Sequence, residues 1–247
     1  MRRDAKIIAV TVLSAGVWVA AGRVPEMVRS TSFFRVQEVE VVGLHFVSRE
    51  EVLKRLGITP RSTVWGDSDA WSAAVAEHPL VRTARVSRRL PGTLVVEVEE
   101  RRPVALVATP ILEPVDAEGV ILSLDPTENR LDLPLLRLQA RVAPGARMIP
   151  ASGRRLASEV GRLMEADTAF LQMVSEVEWR EEGVLAARWT RPDVVFLLRA
   201  GAPPRRVREG ITIMADAVGR DLDRLPSVID LRYADQAVVR RTRNHAS

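Results

Sequence analysis

The side chains in this sequence that could move a proton are three histidines and a few carboxylate pairs. His45, His78 and His245 are scattered along the chain. A general base needs a neighbour to orient it. His45 directly follows a first apolar strand-like segment and His78 precedes Pro79 at the end of a helical stretch, so both read as turn or capping residues. Glu99-Glu100 and Glu181-Glu182 could imitate an acid–base couple, but neighbours on a strand point to opposite faces, and they read as solvated charges. Asp116 and Glu118 share a face by alternation, yet a turn falls between them, which makes them turn residues. The tryptophans Trp65, Trp71, Trp179 and Trp189 could stack on sugar rings, but their spread along the chain favours packing.

No Gly-rich phosphate loop, His-Glu-x-x-His helix, nucleophile elbow or cluster of metal ligands is present in the sequence. With no cysteine, disulfides, thiolate catalysis and cysteine-based metal sites are excluded. No catalytic, cofactor-binding or metal-binding residue and no small-molecule substrate is therefore expected, and the chain reads as a non-enzyme. Lys+Arg 36 against Asp+Glu 32 leaves a net charge of +4. Lys6 and Lys54 are the only lysines, and the arginines are dispersed among acids with few aromatics to stack on bases, which argues against nucleic acid as a partner. At 247 residues and 47% hydrophobic, the chain can build one large or two small cores.

What must position any site begins with Ile7 to Gly22, an uncharged apolar run behind Arg2, Arg3 and Lys6 and ahead of Arg23. As a helix these sixteen residues span about 24 Å, a marginal crossing of a ~30 Å hydrocarbon layer unless Lys6 and Arg23 snorkel outward. A membrane anchor over residues 7–22 with a cytoplasmic tail over 1–6 is one reading. A secretory signal cleaved near Val19-Ala20-Ala21 is the other. Under both, the bulk of the chain lies outside the cytoplasm.

Residues 33–102 read as a module of order β-α-α-β-β. Val36, Val39, Val41 and Val42 make a strand ended by Gly43; Ser48 and Glu51 form a capping box for a helix stopping at Gly57; Asp67 or Ser68 caps a second helix that ends before Pro79. Val81 to Leu90 and Thr93 to Glu99 are strands joined at Pro91-Gly92. Three strands covered on one face by two helices bury every element once.

Residues 103–240 read as a mixed β domain with two helices, making the whole chain α+β. Val115 to Ile121 suggests a hairpin turning at Ala117 to Gly119, and Leu156, Val160, Leu163 and Met164 share a helical face. Three strands follow at Val174 to Arg180, Val184 to Thr190 and Val194 to Arg199. A helix after Pro203-Pro204 carries the stripe Val207, Ile211, Met214 and Val218. Ser227 to Tyr233 and Ala237 to Arg240 form a last strand pair, and residues 241–247 are expected to be a disordered tail.

The order and residues of the first module resemble a POTRA domain. His78-Pro79-Leu80-Val81, Arg89-Leu90-Pro91, Glu100-Arg101-Arg102-Pro103-Val104-Ala105 and the ending Ile229-Asp230-Leu231-Arg232-Tyr233 look like the FtsQ/DivIB bacterial division family. Arg205-Arg206-Val207 departs from that family's common Lys-Leu, as do Arg240-Arg241 from the aromatic some relatives carry.

If the last strand lies at a sheet edge, its open N–H and C=O groups can accept a strand from another chain. Candidate partner-binding residues are Arg232, Tyr233, Val238, Val239 and Arg240, with the valines giving apolar grip and the arginines facing an acidic segment. Tyr233 reads equally as an interface anchor or a cap of the core, and for Arg232 a salt bridge to a neighbouring strand is favoured over a partner contact. The resemblance implies a bitopic inner-membrane scaffold at the division septum, FtsB/FtsL-type partners, contacts with other divisome components, and regulation of septal peptidoglycan synthesis. An accessory of outer-membrane assembly or secretion, built on the same POTRA module, is the alternative.

Overall fold

The computed structural model describes residues 32–220 and 225–241, so the expected cytoplasmic tail, the membrane-entering segment 7–22, His245 and residues 242–247 of the expected tail lie outside the described residues, while Arg241, expected in that tail, ends the last strand by pairing with Pro226. The chain divides into two compact units, one running to Glu100 and the other starting at Arg101.

The first unit follows the expected order. A 3-10 turn, Ser32–Phe34, leads into β1 (Glu38–Val42), α1 (Arg49–Leu56), α2 (Ser68–Ala76), β2 (Val81–Arg89) and β3 (Thr93–Glu100). Ser48 and Glu51 form the capping box reciprocally, and α1 stops at Gly57. Asp67 caps α2 by accepting from the Asp69 and Ala70 amides, both at 3.0 Å. β1 runs parallel and β2 antiparallel to β3, and the order is β1-β3-β2, so β1 and β2 are both edges. Val52, Val75, Leu94 and Val96 are fully buried between the helices and the sheet. Val36 lies before the strand rather than in it, its amide donating to Ser62 O at 2.9 Å.

In the second unit the strands are β4 (Pro103–Ala108), β5 (Leu112–Asp116), β6 (Leu135–Arg137), β7 (Val174–Glu181), β8 (Val184–Thr190), β9 (Asp193–Arg199), β10 (Pro226–Asp230) and β11 (Val238–Arg241). They form one mixed sheet in the order β11-β10-β9-β8-β7-β6-β4-β5. Helices α3 (Ala151–Ala166), α4 (Thr168–Gln172) and α5 (Pro204–Arg220) accompany it. The short α4, capped by Asp167 through the Phe170 amide, is additional to the two helices that periodicity suggests; five residues hold too little of a 3.6 period to be read.

One core serves this unit. Val194, Phe196 and Leu198 alternate inward from β9, Ala187 and Trp189 from β8, and they meet Leu156, Val160 and Leu163 of α3 and Val207 and Met214 of α5. Truncating any of the larger of these to alanine is expected to cost about 2 to 5 kcal/mol. The stripe on α5 ends early, since Val218 is exposed. Gly210 lets α5 approach the chain after β10, because a Cβ there would stand 2.7 Å from Leu231 Cδ1.

Candidate partner-binding edge

Edge character begins with pairing. β11 pairs antiparallel with β10, Ile229 opposite Val239 and Asp230 opposite Val238, while β10 pairs on its other side in parallel with β9. β11 thus closes the sheet's sequence at one end, with one strand neighbour among the described residues. Both valines are outside the core, Val238 at 37% and Val239 at 38% exposure, although alternation would allow one of them to turn inward. The strand is too short and too far over the margin of the core for its inner face to be covered. Arg240 and Arg241 are exposed beside them.

The other sheet margins are more occupied. On β1, Val39 O accepts from Arg49 Nη2 at 2.7 Å, and on β2 the Val86 N–H donates to Ser72 Oγ at 2.9 Å. On β5, Pro114 O accepts from the Leu122 amide at 2.8 Å and the Asp116 amide donates to Val120 O at 3.0 Å. β11 carries one such bond, Ser227 Oγ donating to Arg240 O at 3.3 Å, but it comes from β10, the strand with which β11 already pairs.

The segment joining β10 to β11 is held by arginines. The strand ends at Asp230, so Leu231, Arg232 and Tyr233 lie in the connection, not in the strand as their sequence suggests. Leu231 is buried and its amide donates to Leu197 O at 2.8 Å. Arg206, itself buried, donates from Nη2 to Leu231 O at 3.3 Å and to Gln236 O at 2.8 Å, and pairs with Glu209. A sequence reading misses Arg206 as a site residue. Its signal is periodicity, since position 206 falls on the same helical stripe as Gly210 and Met214.

Arg232 is engaged already. Its Nε donates to Asp230 Oδ1 at 2.9 Å, Nη2 to Asp230 Oδ2 at 2.8 Å and Nη1 to Glu181 Oε1 at 2.8 Å. Hydrogen bonding from Arg232 holds the buried Asp230 carboxyl below its ordinary value against the opposing effect of burial. The ion-pair reading of Arg232 fits this geometry. Tyr233 is 43% exposed, so its ring does not cap the core. Val238, Val239 and Arg240 share the margin; Arg232 and Tyr233 flank it from the connection. Beside the start of β11 an open groove of about 480 Å³ is lined by Arg205, Arg208, Ile213 and Ala237 among others.

The remaining candidates for chemistry are dispersed. His78 Nδ1 accepts from the Leu80 amide at 3.2 Å, a capping role; burial, then Arg55, lower its pKa. The Asp116 Oδ1 atom accepts from the Glu118 and Val120 amides across the expected turn, and Arg101 bridges Asp116 and Glu118 at 2.6 and 2.9 Å. Trp189 packs in the core with Phe170 and Phe196, Trp179 is half-buried in the same unit, and Trp65 and Trp71 belong to the other. The solvated reading of Glu100 is wrong. Its carboxylate is buried and accepts three amides, from His45 at 2.9 Å, Phe46 at 2.7 Å and Val47 at 2.9 Å, fixing the loop between β1 and α1. Glu99 does point outward, toward Arg82 at 3.2 Å. Among the described residues, no group of three or more histidines and carboxylates is arranged to hold a metal ion.

Comparison with known proteins bears on the first unit and on the family of the chain. The family described as POTRA domain, FtsQ-type, matches residues 34–101. A cell division protein FtsQ from Rhodothermus marinus is 30% identical over 83% of this chain and 77% of its own length. One from Geotalea daltonii is 23% identical over 98% of the chain and 88% of its own length. Another, from Myxococcus fulvus, is 34% identical over 54% of the chain, a stretch spanning 48% of that relative.

Proposed function

The chain belongs to the FtsQ family of cell division proteins, and from that premise we propose that it works as a non-enzymatic scaffold that captures a strand of a partner at β11. The observation that carries this reading is the position of β11 at the end of the sheet, one side paired and its two valines exposed. Backbone pairing supplies the affinity, while Val238, Val239 and Tyr233 supply apolar contact and Arg240 and Arg241 complement an acidic segment.

The partners are FtsB/FtsL-type division proteins, and the complex regulates septal peptidoglycan synthesis. Residues 7–22 anchor the chain in the inner membrane as a single span, with residues 1–6 in the cytoplasm and the two units in the periplasm. The first unit, residues 33–102, meets other divisome components, and residues 103–240 carry the capture edge. Tethering both partners to one membrane raises their effective concentration beside each other. Membership of this family favours division over an accessory role in outer-membrane assembly. The test is a fluorescent fusion of the full chain in dividing cells, combined with pull-down of FtsB/FtsL-type partners. A midcell band and capture that a proline in β11 abolishes are expected; uniform envelope fluorescence with unchanged capture overturns the reading.

A further inference from the structure

One end of the first unit has an unusual surface. β1 starts there, β2 ends there and β3 starts there, because Gly92 O accepts from the Gln37 and Glu38 amides and Thr93 lies opposite Glu38. The loop through Val64 joins the same end, its amide donating to Phe34 O at 2.9 Å. Two large apolar side chains stand out from this end, Phe33 at 62% and Leu90 at 55% exposure. Behind Phe33, Phe34 packs edge-on to Trp65 with ring centres 5.7 Å apart. Arg88 lies over that indole, 5.9 Å from its centre, held by Val64 O at 2.6 Å and Gly66 O at 2.9 Å. Arg35 and Arg61 are exposed alongside. Arg89, also here, is spent on Glu40 at 2.6 Å.

One exposed ring, Phe33, and the exposed Leu90, backed by the half-buried rings of Phe34 and Trp65 and bordered by arginines, form a surface that suits neither water nor a dry protein core. Aromatic groups at the polar–apolar boundary of a bilayer, with guanidinium groups toward lipid phosphates, are satisfied on both counts. The chain path selects this occupant. Only nine residues, 23–31, separate the apolar run ending at Gly22 from Ser32, and fully extended they reach at most about 30 Å. This end of the unit is thereby tethered close to whatever surface residues 7–22 enter.

We propose that the end bearing Phe33, Leu90 and Trp65 within Arg35, Arg61 and Arg88 seats on the headgroup layer of an anionic phospholipid bilayer. The inference rests on the reading of residues 7–22 as an anchor. It adds that the unit lies down on the membrane by a defined end instead of swinging on a leash.

The absence of cysteine makes the test direct, since a single introduced thiol labels uniquely. Full-length chains carrying S32C, or E50C in the first turn of α1 past the far end of β1, are labelled with an environment-sensitive fluorophore and placed in nanodiscs of phosphatidylglycerol and phosphatidylcholine. Spin-labelled phospholipid with its quencher near the headgroup is expected to quench the position-32 probe roughly threefold more than the position-50 probe, and R35E/R61E to reduce that difference. Equal quenching at both positions overturns the seat. So does a blue-shifted position-32 probe that the lipid quencher does not reach, which marks a protein cover. A chain that fails to co-elute with the discs refutes the anchor, and with it the seat, by a separate readout.

Discussion

Arg232 grips Asp230 through two parallel hydrogen bonds, Nε to Oδ1 at 2.9 Å and Nη2 to Oδ2 at 2.8 Å, although both belong to the stretch from which a partner would be bound. The pair therefore shapes the connection between β10 and β11 before any partner arrives. Its acid side is buried, so the arrangement is an internal clamp with an external rim at Glu181.

Asp230→Asn removes the charge that this clamp needs and is expected to lower stability by about 2 to 3 kcal/mol near neutral pH. The native carboxyl titrates below its ordinary value of 3.8. Its contribution is therefore complete above that value and fades as pH falls through the lower native one. Denaturant midpoints of the two proteins measured from pH 7 to pH 2 are expected to converge at the acid end; a constant gap would show that the loss is not one of charge.

Arg206→Met keeps much of the buried volume while stripping Leu231 O and Gln236 O of their donor. A cost of about 1 to 3 kcal/mol is expected from the orphaned carbonyls. Because these atoms position the chain that enters β11, partner capture should weaken although no edge residue has changed. Calorimetric binding of a partner segment to a protein shown folded by circular dichroism checks this.

At the edge itself, Val238→Pro and Val239→Pro remove successive amides, one of which faces the open side of the strand. At least one of the two is expected to weaken capture by roughly tenfold or more with little change in melting temperature, since β11 adds little to the core. Charge reversal at Arg240 should weaken capture most at low salt. Titrations at two ionic strengths separate the backbone and charge contributions.

Glu100→Ala leaves three amides of the loop before α1 without their acceptor, and a loss of about 2 to 4 kcal/mol is expected, with Glu100→Gln retaining part of it. Hydrogen exchange at His45, Phe46 and Val47 should accelerate in both. Protection unchanged from the parent protein would mean that backbone contacts alone organise the loop.

The elements most legible in the sequence are those with local punctuation. Ser48 with Glu51, Gly57, Asp67 and Pro91-Gly92 mark boundaries by chemistry confined to a few residues, and the structure places helix ends and turns there. The hairpin of β4 and β5 escaped because Pro103 to Asp116 is a nearly continuous apolar stretch with neither alternation nor a glycine turn. Glu100 escaped for a related reason: alternation correctly sends it and Glu99 to opposite faces but cannot say that a ring of amides waits on one of them. At the candidate edge, Val238, Val239 and Arg240 were readable as strand, but alternation allowed one valine to turn inward, and that both are exposed was not readable. The engagement of Arg232 and Arg206 depends on partners dozens of positions away, which no window of sequence contains.

With Val39, Val86 and Pro114 each bonded by a side chain or loop at the other margins, the proposed capture of a strand falls, among the described residues, to the one margin that ends in β11. A guest strand received there would become the ninth of this sheet and its new outermost strand.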